Sequence, residues 1–357
     1  MALTNPEILQ FTSGKPFAFI GDSVIPELDI SYETYGTLNS ARDNAILLCH
    51  FFSGNKHAAG FYPGDKAPGW WHNLIGPDKP FDTNRYFIIS SDSLCCLHDS
   101  DLIKTSGPRS INPSSGKIYG PDFPVTSVRD MVNAQKLLLD YLGVGKLHAV
   151  AGPSMGGMQA LQWSLSYPEM VERIIAVTTG PGLDGFARFL PMRQGIDSVR
   201  LDPEFHGGRY YEHGTRPLTG LANALAALTL LARPRGWGGN YLSGYQAFED
   251  ELLKIARSRA LQYDANCFIQ LCRTNIGFNL FEGNSSPTDA LKTSRARYLL
   301  IAETNDVLFP IEESRKFGEL LAKRNDSEYH EFSSADGHLG GVTHTVLFAE
   351  QIRKFLS

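Results

Sequence analysis

The sequence predicts an α/β fold, a mainly parallel, doubly wound sheet interrupted by an inserted helical cap. Short apolar runs alternate with segments that are apolar at helical spacing, and this alternation builds parallel sheets. A glycine-flanked serine, Gly152-Pro153-Ser154-Met155-Gly156, joins one such run to a helix. From about residue 184 to 287 the alternation stops and helical patterns take over. With 357 residues the chain can hold a large core and an inserted subdomain. The expected division is a first core part over 1–183, a cap over 184–287 and a second core part over 288–357.

The first strands fall at Phe17 to Ile20 and at Leu28 to Tyr35, the latter alternating side to side as a half-buried strand does. Ala45-Ile46-Leu47-Leu48-Cys49 is apolar on both faces, which fits the interior of a parallel sheet. Tyr86 to Ser91 repeats that pattern, and Val128 to Leu142 is apolar at helical spacing. The strand ending at Val150 runs into the serine turn and then into a helix burying Met158, Leu161 and Leu165. Further strands follow at Val171 to Thr178, Tyr298 to Ala302 and Tyr329 to Phe332. In the cap, Leu218 to Ala232 and Ala247 to Tyr263 read as long helices, and Arg233 to Gly239 as a turn. A helical insertion at that point lies where ligands enter such sheets, so it is expected to cover a site.

The serine turn has the form of a nucleophile elbow, Gly-x-Ser-x-Gly between strand and helix. Small residues are needed there because the turn is strained and neighbouring backbone comes very close. A serine nucleophile requires a base, and the base requires a group that fixes its tautomer. In this architecture they follow in the order serine, acid, histidine. Asp306 lies in the loop after the strand ending at Ala302, and His338 in the loop after the strand ending at Phe332. The predicted triad is therefore Ser154, Asp306 and His338, with Glu303 and Asp336 as rival acids and His344 as rival base. Two backbone amides should stabilise the oxyanion, one from Met155 and one from the loop His50-Phe51-Phe52-Ser53-Gly54, where Phe52 is the expected donor.

Several longer segments carry a family resemblance across most of the chain. Gly69-Trp70-Trp71-His72-Asn73-Leu74-Ile75-Gly76-Pro77, Phe81 to Phe87, Gly107 to Pro113, Tyr119 to Pro124 and Ser154 to Leu161 together resemble the homoserine O-acetyltransferase family of α/β-hydrolase-fold enzymes. Met192-Arg193-Gln194 and Tyr263-Asp264-Ala265-Asn266 fall where that family has similar segments. The resemblance implies a two-step reaction in which an acyl-CoA, as co-substrate, acylates Ser154 and an acceptor hydroxyl then takes the acyl group. It further implies that Arg193 binds the acceptor's carboxylate and that the protein is a homodimer paired through cap helices. The departures are on the acceptor side. The aspartate that follows the family's catalytic histidine, where it pairs with the amine of homoserine, is replaced by Leu339. The family's Ile-Thr-Tyr-Leu-Ser appears as Leu228-Thr229-Leu230-Leu231-Ala232, without its tyrosine, and Pro153 stands where a small residue is usual. Acyl transfer from an acyl-CoA to a hydroxyl acceptor that need not carry an amine is the expectation. A hydrolase using water is the alternative, and a non-catalytic binding protein of the same fold is an alternative of another class.

Composition excludes other classes. The 33 basic and 38 acidic residues leave a net charge of -5, with no basic footprint for nucleic acid or an anionic membrane. No N-terminal apolar run has a basic flank, and five cysteines lack framework spacing, so a cytoplasmic protein is expected. Cys95-Cys96-Leu97-His98-Asp99 lacks a second pair at zinc spacing, and no phosphate loop or dinucleotide fingerprint is present, so no metal and no bound cofactor are expected.

Overall fold

The computed structural model describes residues 7–98, 105–237, 241–324 and 327–357. Asp99 and the turn glycines 238 and 239 lie outside them. Eight strands form one sheet: β1 (Leu9–Thr12), β2 (Asp29–Tyr35), β3 (Ala45–Cys49), β4 (Phe87–Ser91), β5 (Leu147–Pro153), β6 (Arg173–Val177), β7 (Arg297–Glu303) and β8 (Glu328–Phe332). Their order across the sheet is β1-β2-β4-β3-β5-β6-β7-β8. β1 pairs antiparallel with β2 and β2 antiparallel with β4, and every later pairing is parallel. β1 was not expected from the sequence, because its four residues at the sheet edge bury only Phe11. The strand expected at Phe17 to Ile20 is a two-residue piece, Phe17–Ala18, paired with Val24–Ile25 in a separate small ribbon.

The buried strands explain their own composition. In β3, Leu47 and Cys49 pack into the larger core cluster on one face of the sheet, while Ile46 and Leu48 pack into the second cluster on the other. Both faces are therefore covered, and each strand residue must be apolar. Helices α1 (Val128–Tyr141) and α2 (Met155–Ser166) contribute Met131, Leu138, Met158 and Leu161 to the first cluster. The start of α1 is fixed by a capping box in which Ser127 and Asp130 satisfy each other's backbone amides.

The chain between β6 and β7 is helical among the described residues. It holds α3 (Gln194–Arg200), α4 (Leu218–Leu231), α5 (Tyr241–Ala260), α6 (Ala265–Gly277) and α7 (Pro287–Thr293), with shorter turns between them. α6 was missed in the sequence, because it is buried nearly all round and shows no polar stripe. Two helices complete the core, α8 (Ile311–Ala322) and α9 (Ala349–Leu356), the latter packing Ile352 and Phe355 into the second cluster. No helix among the described residues is long and apolar enough to cross a membrane.

Candidate active site

Five parallel strands deliver the site from their carboxyl ends. β3 runs into His50, β5 into Ser154, β6 into Thr178, β7 into the loop holding Asp306, and β8 into the loop holding His338. Ser154 sits between β5 and α2 at φ 55°, ψ −122°, a conformation that side-chain-bearing residues rarely adopt. Backbone crowding makes it possible. A Cβ on Gly156 would lie 2.0 Å from the Cys49 carbonyl oxygen, so the elbow can pass over the end of β3 only where no side chain is present.

The three predicted side chains come together. His338 Nε2 lies 2.8 Å from Ser154 Oγ, and its Nδ1 lies 2.7 Å from Asp306 Oδ2. Oδ1 of Asp306 accepts the amides of Leu308, at 2.8 Å, and Phe309, at 3.0 Å, so one carboxylate orients the ring while being held by its own loop. The Phe309 ring stacks on the imidazole at 5.6 Å between centroids. Gly337, at φ 58°, turns His338 inward, and a Cβ there would meet Pro234 of the cap segment.

The rival groups are occupied elsewhere. Glu303 accepts the Ser334 amide at 2.8 Å and that of Asn305, tying β7 to the histidine loop. Asp336 pairs with Arg233 and accepts the Thr343 hydroxyl at 2.8 Å, and His344 lies 3.4 Å from that same carboxylate.

The loop expected to hold an oxyanion donor is fixed from below by His50. Its Nε2 accepts the Ser93 amide at 2.9 Å, so the proton sits on Nδ1 and donates to the Phe51 carbonyl at 2.7 Å. That carbonyl also accepts the Gly54 amide, and it belongs to the peptide group whose N–H is that of Phe52. Met155 is the first residue of α2, where the leading amides have no partner within the helix.

His50, Asp92 and Cys96 place ligand atoms within 4.8 Å of one another. The donor set does not suit a metal, because His50 Nε2 is already an acceptor for Ser93, and Asp92 accepts the Lys56 amide and faces its ammonium at 3.6 Å. Burial holds the Cys96 thiol well above its ordinary value, which keeps it protonated.

Burial also pushes down the pKa values of His50, His98 and His148. A group lowered in the folded state stabilises the fold above its unfolded value and loses that contribution as the pH falls below it. The expected result is a melting temperature that is level above the ordinary histidine value of 6.5 and declines below it. His50→Gln should have a shallower decline between pH 7 and 5 in thermal melts, and an unchanged slope would refute the assignment.

Above Ser154 and His338 lies a cavity of about 70 Å³ whose walls are mostly apolar, including Phe52, Met192, Leu228, Leu308, Leu339 and Val342. Arg259, Thr229, Thr178, Asn275 and Ser53 supply its polar side chains besides Ser154 and His338, and among the described residues no carboxylate lines it. Arg193 is not where the resemblance implied. Its side chain is exposed and pairs with Asp197 one helical turn on, at 2.9 Å, while the neighbouring Met192 lines the cavity. Arg259 reaches the cavity instead. It was missed because it reads as one more charge near the end of a long polar helix, and only the packing of α5 against α4 reveals where it points.

The model of the α/β hydrolase fold matches residues 44–345. A homoserine O-succinyltransferase of Alkalilimnicola ehrlichii is 38% identical over 93% of this chain and 90% of its own length. The chain belongs to the homoserine O-acyltransferase family of the α/β hydrolase fold. Among solved structures, homoserine O-acetyltransferase from Bacillus anthracis superposes on this family member with a TM-score of 0.94 at 35% identity, over 99% of this chain and 98% of that one. The crystal structure of an esterase does so with a TM-score of 0.91 at 36% identity, over 99% and 100%. The protein is thus an enzyme of the homoserine O-acyltransferase type, and acyl transfer is its class of chemistry.

Proposed function

We propose that the enzyme transfers an acyl group through an ester on Ser154, taking it from an acyl-CoA and passing it to a hydroxyl acceptor other than homoserine. The observation that carries this reading is the chain Asp306–His338–Ser154, with Ser154 and His338 at the floor of an apolar cavity that no carboxylate lines among the described residues. His338, oriented by Asp306, takes the Ser154 proton as Oγ attacks the acyl carbonyl. The amides of Phe52 and Met155 hold the oxyanion, and His338 returns the proton to the leaving thiolate. The acceptor hydroxyl then repeats the sequence in reverse order. Leu339 follows His338 in the cavity wall, and an ammonium held there without a counter-charge costs several kcal/mol.

The test supplies acetyl-CoA with homoserine, serine or neutral alcohols and follows free thiol, while a fluorophosphonate probe reports on Ser154. Efficient acetylation of homoserine would sink the acceptor assignment. Absence of labelling at Ser154 would sink the covalent route. Hydrolysis is a second reading, favoured by the esterase that shares the whole fold at 36% identity, and thiol release that ignores every alcohol would establish it.

Leu339→Asp restores a carboxylate beside His338. It is expected to raise kcat/KM for homoserine about tenfold or more, measured with a common acyl donor, and to lower that for neutral alcohols. No gain in a folded variant would show that Leu339 does not set the preference. We also infer a homodimer paired through the cap, which sedimentation tests: a monomer at micromolar concentration would refute it. The five cysteines, all free and buried, support a reducing compartment such as the cytoplasm.

A further inference from the structure

Among the described residues, the cavity above Ser154 holds a guanidinium with no carboxylate to balance it. Arg259, half-buried near the end of α5, donates from Nη1 to the Thr229 hydroxyl at 2.6 Å and from Nη2 to the Ser53 hydroxyl at 3.3 Å, and lies 5.6 Å from the Tyr263 ring centroid. Its protein partners are thus two neutral hydroxyls and an aromatic face. Among the described residues no Asp or Glu oxygen lies within ion-pair distance of it, whereas Arg193, Arg209 and Arg233 of the cap each pair with one. Each terminal nitrogen carries two N–H groups, so a donor remains on both after the hydroxyls are served.

Position makes this more than a tether between cap and core. Arg259, Thr229, Ser53 and Asn275 line the same cavity as Ser154 and His338, and Ser53 directly follows Phe52, the proposed oxyanion donor. A cation in a small apolar cavity raises the affinity of that space for an anion, and a guanidinium fork matches a carboxylate in shape. Among the described residues the same walls offer an ammonium no carboxylate, and the apolar Leu339 and Val342 stand beside His338.

Resting on the acyl-transfer reading above, we propose that Arg259 is a specificity-determining residue that receives a substrate carboxylate, and that the substrate carrying it has no amine. Two parts of the reaction can supply such a group. One is an acyl chain ending in a carboxylate, and the other is a hydroxy acid serving as acceptor.

The experiment separates these sources. In the acyl arm, kcat/KM is compared for the 4-nitrophenyl monoester of succinate and its neutral isostere, 4-nitrophenyl 4-methylpentanoate. In the acceptor arm, 4-nitrophenyl acetate is the donor, and ester formation is compared for 3-hydroxypropanoate or 4-hydroxybutanoate against neutral alcohols of the same length. The expected result is a preference for the anion of about tenfold or more in one arm, abolished in Arg259→Gln and partly kept in Arg259→Lys. The ratios for the unaltered enzyme are informative even where a variant fails to fold. Turnover of 4-nitrophenyl acetate with no anionic preference in either arm overturns the proposal, as does a preference that survives Arg259→Gln. Failure of the unaltered enzyme to turn over any of these esters, with Ser154 unlabelled by fluorophosphonate, would instead refute the acyl-transfer reading itself.

Discussion

Ser154→Ala is expected to lower kcat for 4-nitrophenyl acetate by about 10⁴ to 10⁶-fold, with an unchanged fold by circular dichroism. The hydroxyl removed is the one 2.8 Å from His338 Nε2, and the nearest replacement nucleophile, water, lacks its fixed position over the end of β5. The methyl group that remains fits the elbow as the serine Cβ does, so the loss is one of chemistry. Substrate binding should persist, because the cavity walls and both proposed oxyanion amides are untouched. A variant that turns over its substrate at the native rate would disprove the covalent route.

Asp306→Asn should approach the same loss by another path. Oδ1 of Asp306 accepts two amides, from Leu308 and Phe309, and an asparagine must keep its carbonyl oxygen there, since its NH₂ cannot accept them. The NH₂ group is then left facing His338 Nδ1 and donates to it. The ring proton is forced onto Nε2, where it blocks the acceptor site that Ser154 requires. The expected fall in kcat is about 10⁴-fold, with KM nearly unchanged and fluorophosphonate labelling of Ser154 slowed in parallel. Activity within tenfold of the unaltered enzyme would show that Asp306 does not set the tautomer.

The sequence reveals the nucleophile end of this site well and the substrate end poorly, for a physical reason. Ser154 and Asp306 each follow a buried apolar strand and His338 follows the partly buried edge strand Glu328–Phe332, so the strand pattern places all three at one edge of the sheet before any contact is known. The pocket forms between core loops and cap helices, and the packing of those helices leaves no local pattern. Arg259 reaches it because α5 folds back on α4 through the contact with Thr229, a pairing 30 residues apart that no spacing rule encodes. Arg193 illustrates the converse. A resemblance marked its segment, but Asp197 lies four residues on along the same helical face and takes the guanidinium outward. The edge strand Leu9–Thr12 was invisible because it is short and buries only Phe11, and its partner β2 defines it.

The end of β3 ties the two proposed oxyanion amides to a single junction. The Cys49 carbonyl sits against Gly152 and Gly156 of the elbow, and His50, the next residue, anchors the loop carrying Phe52. Reactive main chain is thereby separated from the side chains proposed to choose a substrate, which hang from the cap at Leu228 and Arg259 and from the loop after His338 at Leu339. Point substitutions at Arg259, Leu228 or Leu339 are expected to redraw substrate preference without shifting the machinery beneath. Such a division lets one scaffold drift between acyl groups and acceptors in small steps, and it is consistent with a fold shared at about the same identity by proteins named as acetyltransferase, succinyltransferase and esterase.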